Sequence, residues 1–501
     1  MKIATSQRMK RLIAACACIL LLTGCSVKNE YPPELSPSAA TPPPVQTNGT
    51  GVLSVTLYYR SADGQLSAEE REVKWPSGVS RAEVALQALC DDPDSASLSA
   101  VMPEGVSFAG VELSGNVCDV YLTGTLPDNG QALLIARAAI AATVEANEGI
   151  EYTDVFINGM QPGFNGRPLG VLKPIEVSLN AYLSQYMTVD TDTEAEVGTL
   201  ESRDAQLYFS DTSGNLLLSD VSTMRYDMHA QADLVISALL SELMKGPLES
   251  EGREPVLPTD MKLAKCSFVS RVAVGSSTDI AGSPGIAELH FSKPAEQFDQ
   301  RLVYAAIVCT VTSFWPGVEG VRIFLDETLV YPDEALGLNT QRSVFERGDF
   351  DGVLGHTAVL AFPDQEGLGL YPVLRCMDQN TVYDPKERLQ ALFAGTADLG
   401  VSLTMFSPDD LLSVTIEGDM AVVNWRKGFG DTLADFVNNG VSHLPKSARA
   451  RMVVYAMINT LCNMPGVQRV WMLEEGQRID KTIDNIYLGN ALLYNPGLML
   501  T

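Results

Sequence analysis

Three segments of the chain carry the same apolar face. IARAAIAATV (135–144), LVYAAIVCTV (302–311) and MVVYAMINTL (452–461) align without gaps. Their matching positions recur at i, i+1, i+4, i+5, i+8 and i+9, which is one side of an α-helix. Ala139, Ala306 and Ala456 stand mid-face, where so small a side chain lets a helix sit close on a sheet. Thr143, Thr310 and Thr460 match as well. Each helical pattern stops near a glycine, Gly149, Gly317 or Gly466, and a strand-like segment follows: TDVFING, EGVRIFL and VQRVWML.

Upstream of each helix the period changes to two. Cys118, Val120 and Leu122 alternate with Asp119 and Tyr121. Ala287, Leu289 and Phe291 alternate with Glu288 and His290, and Ala421, Val423 and Trp425 with Val422 and Asn424. That pattern predicts a strand with one face in and the other mostly out. An earlier helix is marked by Leu86, Leu89 and Cys90, by Leu240, Leu243 and Met244, and by Leu389, Leu392 and Phe393. Breakers follow it at Pro93, at Gly246-Pro247 and at Gly395. Between that helix and the strands stand MPEGVSF, LPTDMKL and SPDDLLS, read as a turn with Pro103, Pro258 and Pro408 at i+1 and Gly105, Asp260 and Asp410 at i+3. The unit opens with a hairpin: VTLYYRSADGQL, AQLYFSDTSGNL and AVLAFPDQEGLG, with Gly64, Gly214 and Gly367 at the bend. The segments REVKW, TMRYD and YPVLRC supply its second strand.

The predicted fold class is α+β: three tandem ββαββαβ modules, each with two helices packed on one face of a mixed sheet. In this order of elements, with LLSELMKGP and LPTD fullest in the second copy, the chain resembles the GerMN domain of sporulation and spore-germination lipoproteins. The resemblance covers GerMN-like repeats at 52–180, 205–335 and 356–495, nearly all of the chain beyond its N-terminus. Copy three departs most, with Thr396 in place of the Pro after Gly and Ser407 in place of the Leu before Pro408. Copy two carries an insertion, GSSTDIAGSPG.

The N-terminus follows other rules. Lys2, Arg8, Lys10 and Arg11 precede the apolar run LIAACACILLLTGC, which is a secretory signal pattern too short for a comfortable membrane span. Leu22-Thr23-Gly24-Cys25 resembles a bacterial lipobox, which implies a signal peptide over 1–24, cleavage before Cys25 and diacylglycerol on its sulfur. Residues 25–51 are rich in Pro, Ser and Thr and read as a disordered tether. The net charge of −27 becomes −31 once the four basic residues of the signal are gone. So acidic a chain repels nucleic acid and anionic headgroups. The lipid on Cys25 is then its expected tie to the membrane.

Candidate chemistry is sparse. Of nine cysteines, six lie beyond Cys25, two per copy, at positions that do not coincide between copies. They read as buried free thiols rather than a repeated bridge. His229, His290, His356 and His443 are scattered, and His290 reads as outward-facing. No GxSxG, P-loop, GxGxxG, HExxH or CxxC pattern occurs. No acidic position recurs in all three copies of the matched segments. One acidic stretch, DTDTEAEVGTLE, places Asp190, Asp192, Glu194 and Glu201 at positions 1, 3, 5 and 12 of an EF-hand-like loop. It has Ala195 where the loop needs Gly, so an acidic linker is the competing reading and no metal or cofactor is assigned.

The resemblance implies a membrane-anchored extracytoplasmic lipoprotein that acts by protein–protein contact with envelope partners, in spore formation or germination, and is not an enzyme. Exposed sheet edges are the physical route for such contact. Two alternatives stay open: a hydrolase of peptidoglycan or cortex, and a regulatory lipoprotein partnered with a sensor kinase.

Overall fold

A strand with alternate buried apolar residues (Leu53, Val55, Leu57 and Tyr59; Ala205, Leu207 and Phe209; Ala358, Leu360 and Phe362) opens every module and turns back on itself through a glycine. In the computed structural model the hairpins are β1 (Thr50–Ser61) with β2 (Leu66–Pro76), β6 (Leu200–Asp211) with β7 (Leu217–Asp227), and β11 (Gly355–Pro363) with β12 (Leu370–Asp378). Gly64, Gly214 and Gly367 sit at φ of +79°, +70° and +71°. Their N–H groups donate to the carbonyls of Ser61, Asp211 and Asp364 at 2.9, 3.0 and 3.1 Å. A side chain would strain this left-handed conformation, which is why the spacing to the bend is kept.

The structure describes residues 50–76, 78–125, 130–187, 200–227, 229–248, 252–270, 284–338, 342–350, 352–364, 366–395, 406–439 and 444–500. The signal, Cys25, almost all of the tether, Asp190, Asp192, Glu194, His443, Thr396 and most of the copy-two insertion lie outside them.

After the hairpin come a helix, a mixed sheet and a second helix. In module one these are α1 (Arg81–Leu89), β3 (Val106–Ser114), β4 (Val117–Gly124), α2 (Gly130–Glu148) and β5 (Tyr152–Ile157). In module two they are α3 (Ala232–Lys245), β8 (Leu263–Ser270), β9 (Gly285–Phe291), α4 (Gln300–Thr312) and β10 (Val318–Leu325). Module three has α5 (Pro385–Ala394), β13 (Leu411–Glu417), β14 (Met420–Trp425), an added α6 (Phe429–Asn439), α7 (Lys446–Cys462) and β15 (Arg469–Glu474). In each mixed sheet the first two strands are antiparallel. The second and third are parallel and joined through a helix, as a parallel pair requires. Shorter strands and helices decorate this plan.

Where one sheet per module was expected, the hairpin lies in a sheet separate from the mixed one, extended in modules one and two only by a two-residue strand, Leu98–Ser99 or Arg253–Glu254. The physical reason is visible along the outer edge of its first strand. Tyr58, Tyr208 and Ala361 donate their backbone N–H to the hydroxyls of Thr143, Thr310 and Thr460 at 3.2, 3.3 and 2.9 Å. The matched threonines thus let the second helix satisfy a strand edge that would otherwise take another strand. In module one Asn147 extends the tie, accepting from Thr56 N–H at 3.1 Å and donating to its carbonyl at 2.7 Å.

The repeated proline also keeps one role in all copies. Val106, Met261 and Leu411 donate their N–H to the carbonyls of Pro103, Pro258 and Pro408. The proline is therefore the first residue of a turn in every copy; in copy three it is also the second residue of the expected one, where Asp410 donates its N–H to the Ser407 carbonyl at 2.9 Å. Each first strand of the mixed sheet then carries a register shift near its start, at Phe108/Gly110, Leu263/Lys265 and Leu411/Ser413. Such a bulge re-aims a strand leaving a turn.

Packing is not sequential. The buried side chains of modules one and three form one continuous cluster, from Leu53 to Leu183 and from Ala358 to Leu498. Those of module two form a second, from Ala205 to Leu354. The chain builds module one, runs out through module two, and returns to pack module three against the first. Two expectations about facing change. Asp119 is fully buried, because the face of β4 read as outward is covered by module two. His290 is also buried, stacked on Phe324 at 4.3 Å with Nδ1 3.0 Å from Glu327. All six described cysteines are free thiols; Cys118 and Cys309 are buried and the other four half-buried.

Candidate functional site: the Arg347 junction and its cavity

The linker between modules two and three ends in a short 3-10 helix, Arg347–Phe350, whose first residue is driven into the protein. The Arg347 side chain is 10% exposed and meets Asp119, which is 0% exposed, at 2.5 Å. Its Nε donates to Tyr121 Oη at 2.8 Å, its Nη2 to Tyr208 Oη at 2.7 Å and its Nη1 to Ser313 Oγ at 2.8 Å. The guanidinium also lies over the Phe156 and Tyr208 rings, 4.7 and 5.4 Å from their centroids. Tyr208 donates its hydroxyl to Asp119 at 3.0 Å. Module three joins through Gln379, which donates to Glu112 at 3.3 Å, while Tyr121 donates to the other oxygen of Glu112. One guanidinium therefore gathers side chains from modules one and two, and a further bond brings in module three.

Beside this junction lies a cavity of about 870 Å³, with Glu112, Tyr121, Arg322, Arg342 and Arg347 on its wall. Its size suits a small ligand. Its chemistry is largely self-contained. Arg322 bonds Glu288 at 2.6 Å, Arg342 pairs with Glu346 at 2.7 Å and with Asp349, and Arg347 pairs with Asp119. Each arginine named on the wall already has a carboxylate. Burial pushes the Cys309 thiol up to about 12, so it is no thiolate nucleophile at neutral pH. Among the described residues no group of three or more His, Cys, Asp or Glu could hold a metal ion.

Of the acidic-loop candidates only Glu201 is described. It lies in β6, not in a loop, accepting from Arg203 at 2.7 Å and from Tyr226 Oη at 3.0 Å. Its oxygens serve a local ion pair.

The parallel register makes the three modules comparable pair by pair. At one position β9 and β10 place Glu288 beside Arg322, an ion pair, and β14 and β15 place Val422 beside Trp471. At the same position β4 and β5 place Asp119 beside Asp154. Two residues on, Tyr121 stacks on Phe156 at 5.2 Å as His290 does on Phe324. Sequence reasoning missed the Asp119–Asp154 pair because it did not carry the closing strand's register.

Comparison with known proteins follows this threefold plan. The family model described as Germane, sporulation and spore germination, matches residues 56–162, 206–330 and 360–480, more than half of the chain. The chain belongs to the Germane family. Its three Germane segments fall on the three structural modules. Solved structures similar to it include the tandem GerMN domains of the sporulation protein GerM from Bacillus subtilis, at 17% identity and a TM-score of 0.22, covering 56% of this chain and 92% of that one. A putative lipoprotein from Clostridium perfringens is similar at 17% identity and a TM-score of 0.18, covering 28% and 87%. The first GerMN domain of the Bacillus subtilis protein is similar at 17% and 0.18, covering 22% and 84%. Family membership rests on the three matched segments. No curated protein sequence matches the chain.

Proposed function

We propose that this Germane protein is a non-enzymatic scaffold of the sporulation or germination machinery, held outside the membrane by a lipid on Cys25 and set off from it by the Pro-rich residues 25–51. Its partners are envelope proteins. The observation that carries this reading is the junction itself. Arg347, which binds two modules, and the paired arginines beside it spend their charge on holding the body together. That favours a rigid platform over a reaction centre. The buried Asp119–Asp154 pair is out of reach of a polymer substrate, which weighs against a cell-wall hydrolase using those carboxylates. A route for partner contact is β8, which bonds β9 on one side and has no strand on its other side among the described residues. Crosslinking from intact membranes, followed by identification of the adducts, tests the reading. It expects recurrent protein adducts that disappear when Cys25→Ala releases the chain from the membrane.

A further inference from the structure

Asp119 and Asp154 are strand neighbours on one face of the mixed sheet of module one, and both are fully buried. Parallel strands lie about 4.8 Å apart, so two like charges meet there at short range. Their hydrogen bonds are incomplete in a telling way. Asp119 Oδ2 takes Arg347, Tyr208 and Gln206, and Asp154 Oδ1 takes Gln161 Nε2 at 2.6 Å and the Val155 N–H at 2.9 Å. Asp119 Oδ1 and Asp154 Oδ2, one oxygen from each, have no partner. An unpaired buried carboxylate oxygen is costly, and two adjacent ones more so.

The groups facing the pair do not cancel its charge. Module one contributes Glu112, Tyr121, Gln161 and Arg137, whose guanidinium donates to the carbonyl of Gly170. Module two contributes Gln206, Tyr208 and Cys309, and the linker contributes Arg347. With every carboxyl ionised, three carboxylates face two guanidiniums. The equivalent positions of the other modules hold a Glu–Arg pair and a Val–Trp pair, neither of which needs an outside charge. We propose that Asp154 is protonated in the assembled protein and donates through Oδ2 to Asp119 Oδ1, so that the seam between modules one and two is a latch closed by one proton. The O–H bond stays on Asp154, and opening releases that proton to solvent. Burial, then the charge of Asp119, pushes the Asp154 carboxyl well above the usual carboxylate range, in keeping with this. Both ends of the pair reach module two: Asp119 through Tyr208 and Asp154 through Gln161, whose backbone carbonyl accepts the Gly317 N–H at 3.2 Å.

The test is a carboxyl-carbon NMR titration of the full chain labelled at aspartate, with hydrogen exchange at two seam amides. These are Val171, bonded to the Asp204 carbonyl at 2.9 Å, and Gly317. One aspartate is expected to titrate above pH 6, and its signal to vanish in Asp154→Asn. Protection of the two amides, corrected for intrinsic exchange, is expected to fall by up to about tenfold per pH unit once the proton is lost. In Asp154→Asn, whose amide supplies the donor at every pH, it is expected to stay flat. Aspartates that all titrate below pH 5 in the native chain overturn the proposal, whatever the variant does. So does a loss of protection identical in native chain and variant.

Discussion

Arg347 and Asp119 stand 228 residues apart in sequence and form a buried ion pair of 2.5 Å. Removing one member strands the other's charge in the interior. Arg347→Met should therefore cost about 3–5 kcal/mol, whereas Arg347→Met with Asp119→Leu should recover most of that loss. Urea unfolding of the full chain checks this. Equal losses in the single and double variants would show that the pair is not what joins the seam.

The three threonine ties should behave alike. Thr460→Val keeps the shape of the side chain but leaves the buried Ala361 N–H without its acceptor. The expected loss is about 1–3 kcal/mol, with Thr460→Ser retaining most of the stability. The same comparison at Thr310, against the Tyr208 N–H, should give the same order. Hydrogen exchange at Ala361 and Tyr208 reports it residue by residue.

Two glycines with similar backbones separate strain from crowding. Gly149 has φ +73° and nothing within 4 Å of an added methyl group. Gly115 has φ +58°, and a methyl group there would come 2.2 Å from the Ser219 carbonyl of module two. Gly149→Ala should cost only the left-handed penalty of about 1–2 kcal/mol. Gly115→Ala should cost more and should also weaken the seam between modules one and two, seen as faster exchange at Ser219, whose N–H donates to Ser114 Oγ at 3.0 Å.

Stability should also depend on pH through the seam between modules one and three. Burial raises the Glu148 carboxyl to about 7, against the pull of the Ala82 N–H and Arg81. Stability from this group is present below its unfolded value and is lost as pH rises through 7. Burial and Arg388 hold His356 down at about 4, so it contributes the opposite slope, losing stability as pH falls from about 6.5 to 4. Asp119 and Asp154 add to the slope of Glu148, so overall stability should fall from about pH 5 to 8. Glu148→Gln should flatten that fall, and His356→Phe should steepen it below pH 6.5. Thermal unfolding at half-unit pH steps would reveal a fall of the wrong sign.

What the sequence made legible was local. The helix face through Ala139, Ala306 and Ala456 and the hairpin bends at Gly64, Gly214 and Gly367 follow from period and φ alone, and both recur in the structure. Alternation along a strand tells which two faces differ, but not whether both are covered. Alternation alone therefore places Asp119 and His290 on the outward face. Arg347 lay in a stretch with no period, and its partner is set by how module two lies on module one. The family resemblance carried the module order, but the merging of the cores of modules one and three left no periodic trace.

The central claim, a membrane-held protein scaffold rather than an enzyme, is tested most directly by photo-crosslinking in intact sporulating cells with a probe placed on β8 at Val269, which is 48% exposed. The account predicts discrete adducts with one or a few envelope proteins, unchanged when Asp154 is replaced by Asn. An absence of protein adducts from β8, together with clearing of cell-wall material by the purified chain that a single Asp or Glu substitution abolishes, would contradict it.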